Sequence, residues 1–180
     1  MNIYHSFNAL LKGEPNTRFA LAIGVFDGVH LGHRTIIKAL KKASSHTLIL
    51  TFTNHPAEVL YPESVPRPII SLEEKLAIFK QLGISAVLLI PFTQKLADTS
   101  FQDLLDQMPL SHIVLGEGDA FGKNREGGKG ALLKYGRIKG IQVIAVPKNK
   151  CSSSLIRKHL AANELEEASK LLGRPYNIQT

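Results

Sequence analysis

The chain has 180 residues, a hydrophobic share of 44% and a formal net charge of +7. This length is typical of one domain with a substantial core, and the single cysteine, Cys151, excludes an internal disulfide. The excess of positive charge favours anionic partners, which include nucleotides, phosphates, nucleic acids and membrane surfaces. No apolar stretch is long enough to cross a bilayer, and the N-terminus lacks the apolar region of a signal peptide, so we expect a cytoplasmic location.

Short apolar segments recur along the chain, and they are nearly continuous rather than alternating, which is typical of strands buried in a parallel sheet. They are FALAI (19–23), TLILTF (47–52), AVLLI (86–90), HIVLG (112–116) and IQVIAV (141–146). Helical patterns lie between them, with candidate capping side chains at Ser71, Ser100, Ser152 and Asn163. The alternation predicts an α/β fold, a Rossmann-like three-layer domain with a five-stranded, mostly parallel sheet.

The segments of unusual composition all follow predicted strands. They are residues 24–34, 53–56, 116–130 and 151–157. In open parallel sheets, ligands bind beyond the carboxyl ends of the strands, near the point where the strand order switches. We therefore expect these segments to converge on one site.

The stretch GVFDGVHLGHR (24–34) combines glycines with two histidines at the start of a predicted helix. Gly24 and Gly28 permit a tight turn and close approach of a ligand. His30 and His33 would lie on one side of the first helical turn, where free N–H groups favour an anion. Imidazoles can donate hydrogen bonds to phosphate oxygens or carry charge near neutral pH. The stretch therefore predicts a polyphosphate site.

Other interpretations of these segments are weaker. Zinc binding by two histidines would need further ligands at a recognisable spacing, and the chain has no CxxC or HExxH motif. The glycine-rich segment 116–130 is not a Walker A loop, because three residues separate the glycines of GDAFGK and Asn124 follows. It predicts either a cationic loop over an anionic ligand or a solvated surface loop. Residues 151–157 predict either a phosphate-binding helix start or an ordinary serine cap with a surface arginine.

Taken together, the motifs resemble those of prokaryotic FAD synthetases. GVFDGVHLGH is similar to the HxGH region of the nucleotidyltransferase superfamily in the form typical of these enzymes, and CSSSLIR is similar to the superfamily's ISSTxIR motif. TFTNHPAEVLYP, GEGDAFGKNREG and ASKLLGRPY resemble three further motifs of the same family, in the same order. The resemblance covers almost the whole chain. It implies one nucleotidyltransferase domain over residues 1–180 that transfers AMP from ATP to FMN with Mg²⁺, giving FAD and pyrophosphate.

The resemblance also implies roles for individual residues. His30, His33 and Arg157 would stabilise charge on the phosphates during catalysis. The implied ATP-binding residues are Gly24, Phe26, Asp27, Gly32, Ser152, Ser153 and Ser154. The implied flavin-binding residues are Thr53, Asn54, His55, Pro56, Asp119, Phe121 and Arg125, and we expect the flavin pocket between 53–62 and 116–125. No metal ligand is predicted.

In the bifunctional enzymes of this family, a riboflavin kinase module follows LLGRPY. This chain runs four residues past that motif, so we expect the kinase module and its activity to be absent from it. Alternatives to FMN adenylyltransferase are another HxGH transferase, acting on nicotinamide mononucleotide, phosphopantetheine or a phosphoalcohol with CTP, and a nucleotide- or flavin-binding protein without turnover. A nucleic-acid module is disfavoured, because the aromatic share is only 7%. We expect small-molecule substrates and no nucleic-acid or membrane partner.

Overall fold

The computed structural model describes residues 1–176. In chain order, its strands and α-helices are β1 (Asn2–Tyr4), α1 (Phe7–Gly13), β2 (Phe19–Ile23), α2 (Leu31–Ala43), β3 (Thr47–Phe52), α3 (Ala57–Leu60), α4 (Leu72–Gln81), β4 (Ala86–Ile90), α5 (Gln94–Ala97), α6 (Phe101–Leu105), β5 (Leu110–Gly116), β6 (Ala120–Phe121), β7 (Gly127–Gly128), α7 (Lys129–Lys139), β8 (Gln142–Val146), α8 (Ser153–Ala161) and α9 (Leu165–Leu172). Single 3₁₀ turns occupy Asp27–Val29, Pro62–Ser64 and Lys123–Arg125.

The main sheet has six strands in the order β1-β4-β3-β2-β5-β8, and all its pairs are parallel. The α/β class is confirmed, but the prediction of five strands was one short. It missed β1, because three residues are too few to form an apolar run, although Asn2 pairs with Ala86 at the edge of the sheet. Chain order reverses at β2, which lies between β3 and β5, so the carboxyl end of β2 is the switch point.

Helices cover both faces of the sheet, which gives the predicted three layers. One core cluster joins the sheet to α2, α4, α8 and α9, and the other joins it to α1, α6 and α7. Strand β3 shows why the apolar runs are continuous: Ile49 belongs to the first cluster, whereas Leu48 and Leu50 belong to the second. Because both faces of each central strand are covered, successive side chains are buried on opposite sides.

Helix starts followed the capping prediction in three of four cases. The hydroxyls of Ser71, Ser100 and Ser152 accept hydrogen bonds from backbone N–H groups three residues later, at 3.1, 3.0 and 3.2 Å. The prediction for Asn163 was wrong, because its backbone is left-handed, with φ of 59°, and α9 begins after Glu164. Within residues 1–176, no helix has the length and apolar character that a membrane crossing requires.

Candidate active site

The turn after β2 doubles back tightly on itself. Phe26 has a left-handed backbone, with φ of 52°, and its side chain is only 3% exposed. Its ring lies so close to Gly24 that a Cβ there would be 3.3 Å from it. The centroids of the Phe26 and His33 rings are 5.0 Å apart. A non-glycine residue with positive φ is unfavourable by itself, so the surrounding packing must hold Phe26 in this shape.

Asp27 connects this turn to distant parts of the chain. Its buried carboxylate accepts from the backbone N–H of Ile69 at 3.0 and 3.2 Å and pairs with the Arg157 guanidinium. The backbone carbonyl of Asp27 accepts from the Ser153 hydroxyl at 3.0 Å. Arg157 also donates through Nε to the Arg67 carbonyl, at 2.8 Å. The predicted ATP residues Asp27 and Ser153 and the predicted catalytic residue Arg157 are thus brought together, with Asp27 acting as an acceptor from the protein itself.

His30 and His33 form a stacked pair at the start of α2. Their ring centroids are 3.7 Å apart and the ring planes differ by 20°. His30 is only 5% exposed, and its Nδ1 caps the helix by accepting the backbone N–H of His33 at 3.4 Å. Since Nδ1 is an acceptor, the proton of the neutral His30 ring lies on Nε2. In His33, Nδ1 is buried and has no hydrogen-bond partner among residues 1–176.

Both imidazoles are neutral at pH 7. Burial lowers the pKa of His30 from 6.5 to about 4, and the nearby Asp27 carboxylate only partly opposes this. Burial, then the His30 ring and the Lys75 ammonium, hold the pKa of His33 well below its usual range. The sequence alone allowed charged rings near neutral pH. The structure instead gives two neutral rings, each with one N–H to donate.

The start of α8 meets the start of α2 at Gly32. A Cβ on Gly32 would lie 3.0 Å from His30 Cε1 and 3.3 Å from the backbone oxygen of Cys151. A side chain at this position would fit only if these neighbours moved apart slightly. Ser152, which caps α8, and Ser154 are both exposed beside this junction. The N-termini of two helices are therefore adjacent, an arrangement that favours anionic ligands.

A cavity of about 210 Å³ lies next to the turn. The predicted flavin residues Thr53, Asn54 and His55 line it, together with Val25, Asp27, Phe52, Glu58, Val65, Pro66, Pro68, Ile70, Ser71, Leu72 and Lys75. Pro56 follows these residues directly and precedes α3. The Asn54 amide donates to the Phe92 carbonyl at 3.1 Å and accepts the Phe92 N–H at 2.8 Å. Asn54 therefore fastens the end of β3 to the end of β4.

The glycine-rich segment 116–128 begins at the end of β5, the strand that pairs with β2. The Asp119 carboxylate accepts the N–H of Gly116 at 3.0 Å and is exposed, so it closes a local turn. Phe121 packs against the second core cluster, and Arg125 is exposed with a left-handed backbone. No residue of 116–125 is among those that line the cavity described above. The flavin pocket predicted between 53–62 and 116–125, and its flavin contacts, stay predictions.

Sequence reasoning missed Lys75, which lies in the first half of α4 and is only 8% exposed. Its Nζ donates to the Val25 carbonyl, the Thr51 hydroxyl and the Phe52 carbonyl, at 3.2, 3.4 and 3.5 Å. These acceptors match the three protons of an ammonium group. Burial lowers the pKa of Lys75, and the nearby Asp27 carboxylate opposes the shift. The sequence offered no signal for this role, because lysine at this position of a helix is usually solvated.

The fold and this site define a class of protein. A parallel sheet with helices on both faces and a reversal of strand order at β2 is a Rossmann-like fold. Two solved structures share it: a protein titled macrolide-efflux protein from Streptococcus pneumoniae (TM-score 0.81, 23% identity, covering 97% of this chain and 62% of that one) and pantoate-beta-alanine ligase from Francisella tularensis (TM-score 0.64, 14% identity, 96% and 78%). At these identities they show the fold alone.

The particular family follows from the sequence comparisons. The FAD synthetase family model matches residues 12–159, and the chain belongs to that family. A bifunctional riboflavin kinase/FMN adenylyltransferase of Listeria monocytogenes is 36% identical over 175 residues, which cover 88% of this chain and 55% of the relative. Across three such relatives, the chain spans 55–59% of their length.

Proposed function

We propose that this chain is an FMN adenylyltransferase, which transfers AMP from ATP to FMN. A phosphate oxygen of FMN forms a bond to the α-phosphorus of ATP, the bond from that phosphorus to the bridging oxygen breaks, and pyrophosphate leaves. The observation that carries the proposal is the convergence of the α2 and α8 N-termini on the stacked pair His30 and His33. Membership of the FAD synthetase family supports FMN as the acceptor.

The chemistry needs no general base. The second pKa of a phosphomonoester is about 6, so the attacking phosphate is already largely a dianion at pH 7. Catalysis then rests on positioning the two phosphates and on stabilising the charge that develops on the α-phosphate and on pyrophosphate. His30 and His33 supply N–H donors from a buried site, where such donors stabilise charge more than they would in water. The triphosphate also raises the pKa of both rings when it binds, because it is an anion close to them.

We place the triphosphate across the two helix starts, with Gly24, Phe26 and Gly32 leaving room for it. On the α8 side of the site, the triphosphate would meet the cap residue Ser152 and the helix residues Ser153, Ser154 and Arg157. The flavin ring system would enter the cavity lined by Thr53, Asn54 and His55, whose wall combines Phe52 with prolines. This cavity is adjacent to Asp27, so an acceptor phosphate there would be close to the turn. Pro56 belongs to the same proposal, whereas Asp119, Phe121 and Arg125 do not line this cavity and would contact the flavin only weakly.

Mg²⁺ enters this proposal as part of its substrate, the magnesium complex of ATP. Among residues 1–176, no group of three or more His, Cys, Asp and Glu residues is placed to hold a metal ion. The carboxylate of Asp27 is already paired with Arg157 and with the N–H of Ile69. Mg²⁺ commonly binds through substrate phosphates and water rather than through a cage of protein ligands. The residues present do not form such a cage, and no step of the mechanism is assigned to the ion.

The proposal assigns one adenylyltransferase domain to residues 1–180 and no riboflavin kinase activity to them, with a cytoplasmic location. The test is to incubate the protein with ATP and Mg²⁺, adding FMN to one sample and riboflavin to another, and to separate the flavins by chromatography. FAD formed in the sample with FMN, but not in the sample with riboflavin, supports the proposal. ATP binding by calorimetry without FAD formation would contradict it and would direct the search to other phosphate acceptors or to binding without turnover.

A further inference from the structure

We propose that Arg174 is a positioning residue for this reaction, and that it fixes the turn carrying His30 and His33. The kinetic test of this inference rests on the proposed function, because it measures FAD formation. The structural test, which follows the imidazole signals, does not. Arg174 follows α9 and lies outside the region matched by the family model. Its Nη1 donates to the Gly28 carbonyl at 2.8 Å, and its Nη2 pairs with Glu74 Oε1 at 3.3 Å. Its side chain is 18% exposed.

The Gly28 carbonyl is a sensitive point to hold. Gly28 has φ of 80°, and the two nearest non-glycine residues with positive φ, Phe26 and Val29, lie on either side of it with φ of 52° and 38°. His30 follows directly as the cap of α2. A short segment with several left-handed residues keeps its shape only when outside contacts fix it. A rotation of the Gly28 peptide would therefore move His30.

The end of α9 is fitted closely to this turn. A Cβ on Gly28 would lie 3.2 Å from Leu172 Cδ2, and a Cβ on Gly173 would lie 2.5 Å from Leu31 Cδ2. Gly173 has φ of 68°, which a glycine adopts without strain, and this conformation leads the chain from α9 into Arg174. Packing at Leu172 and Gly173 thus positions the Arg174 side chain next to the Gly28 carbonyl.

The Arg174 contact lies beside a second cation, Arg34, whose Nη1 would be 3.9 Å from a Cβ on Gly173. Burial lowers the pKa of Arg34, and the Arg174 guanidinium lowers it further, so two cations lie close together. Glu74 offsets this repulsion by pairing with Arg174. The planar guanidinium reaches a carbonyl and a carboxylate at once, which a lysine ammonium does with less fixed geometry.

Arg174 and Lys75 hold the turn from two sides. Lys75 binds the Val25 carbonyl at the beginning of the turn, and Arg174 binds the Gly28 carbonyl three residues later. Glu74, the partner of Arg174, is the neighbour of Lys75 on α4. One turn of α4 therefore anchors both contacts, directly at Val25 and through Arg174 at Gly28.

The kinetic test compares Arg174→Gln, Arg174→Lys and Glu74→Gln with the control Lys170→Gln, which alters an exposed ion pair on α9. We expect Arg174→Gln to lower kcat for FAD formation about tenfold or more, because small misplacements of catalytic groups are costly, while KM for ATP changes less. Arg174→Lys should recover part of the loss, and guanidinium ion at millimolar concentration should partly restore a further variant, Arg174→Ala. Equal kcat in Arg174→Gln and Lys170→Gln would overturn the proposal.

The second readout does not depend on turnover. Imidazole ¹⁵N signals are recorded for the wild-type protein and for each variant. We expect the His30 and His33 signals to shift in Arg174→Gln, while those of His46 and His112 stay in place. Unchanged His30 and His33 signals would overturn the proposal even if stability fell. If Arg174→Gln does not fold, Arg174→Lys gives the same decision. If the wild-type protein forms no FAD, that result contradicts only the proposed function. The imidazole ¹⁵N signals would still test the role of Arg174.

Discussion

Two glycine-rich segments were candidates for the same site, and the structure holds them in different ways. The turn at 24–34 is fixed by contacts with residues far away in sequence: Ile69, Lys75, Ser153, Arg157 and Arg174. The segment at 116–128 is held by its own turn at Asp119 and by the hydrogen bond from the Lys123 N–H to the Thr99 carbonyl. The Phe101 N–H also donates to the Glu126 carboxylate, and the Glu117 N–H donates to the Val146 carbonyl. In the first segment 26–30 are buried, whereas 117–119 and 123–126 of the second are exposed.

This difference bears on how well each segment can stabilise charge. Groups that stabilise charge during a reaction are effective when they are already in place, because no reorganisation is then needed at the moment of reaction. The turn at 24–34 meets that condition through its burial, whereas 117–119 and 123–126 are exposed to solvent. We therefore expect substitutions in the turn and its anchors to have large effects, and substitutions in the exposed segment to have small ones.

The largest effect is expected from the stacked histidines. His30→Asn keeps an oxygen that can cap α2 but removes the Nε2–H donor, so the fold should persist while FAD formation slows. We expect a loss of about 10²- to 10³-fold in kcat, as is found when one donor to a developing anion is removed. Rates of FAD formation at saturating ATP and FMN give the measurement. His46→Asn, at an exposed histidine, is the control. A change of less than about threefold, against that expected loss, would argue against a catalytic His30.

The next largest effect is expected at Lys75. Lys75→Met keeps the apolar stem but removes the ammonium donor to the carbonyls of Val25 and Phe52, although the Val25 carbonyl still accepts from the Thr51 hydroxyl. We expect the free energy of unfolding to fall by about 1–3 kcal/mol, the order of magnitude of hydrogen bonds from a charged donor. Urea unfolding followed by circular dichroism measures it.

Lys80→Met is the matched control for Lys75, because Lys80 is exposed on the same helix. We expect it to change the free energy of unfolding by less than about 0.5 kcal/mol. A more stable Lys75→Met protein would show that desolvation of the ammonium outweighs its hydrogen bonds.

A smaller effect is expected from pH. The pKa of His30 falls from 6.5 to about 4 on folding, so the unfolded chain binds more protons between these values. The contribution of the His30 ring to stability is therefore fully present above pH 6.5. It declines as the pH falls towards 4, by at most about 1.4 kcal/mol per pH unit. His33 contributes in the same direction. Urea unfolding at several pH values should show a flatter decline for His30→Asn than for the wild-type protein, and an identical decline would contradict a buried neutral His30.

Sequence patterns predicted those features that depend on neighbours along the chain. The buried strands, the serine caps and the placement of His30 and His33 at one helix start all have local signals of this kind. Lys75, Arg174 and the short strand β1 do not, because their roles arise from contacts 50 residues away for Lys75, 146 for Arg174, and across the sheet for β1. The sequence also could not predict that His30 and His33 are neutral, because their lowered pKa values follow from burial in the folded protein.

The smallest effect is expected at Arg125, in the exposed segment. Its charge lies in solvent and it does not line the cavity beside Asp27. Exposed charges contribute about 0–1 kcal/mol to an interaction, so Arg125→Gln should raise KM for FMN by no more than about fivefold and leave kcat unchanged. Arg137→Gln, at an exposed arginine on α7, controls for the loss of net positive charge. A much larger rise in KM for FMN, seen with Arg125→Gln but not with Arg137→Gln, would mean that 116–128 moves onto the bound flavin. The contrast between the two segments would then hold only before flavin binds, and the flavin contacts predicted from the sequence for Asp119, Phe121 and Arg125 would gain direct support.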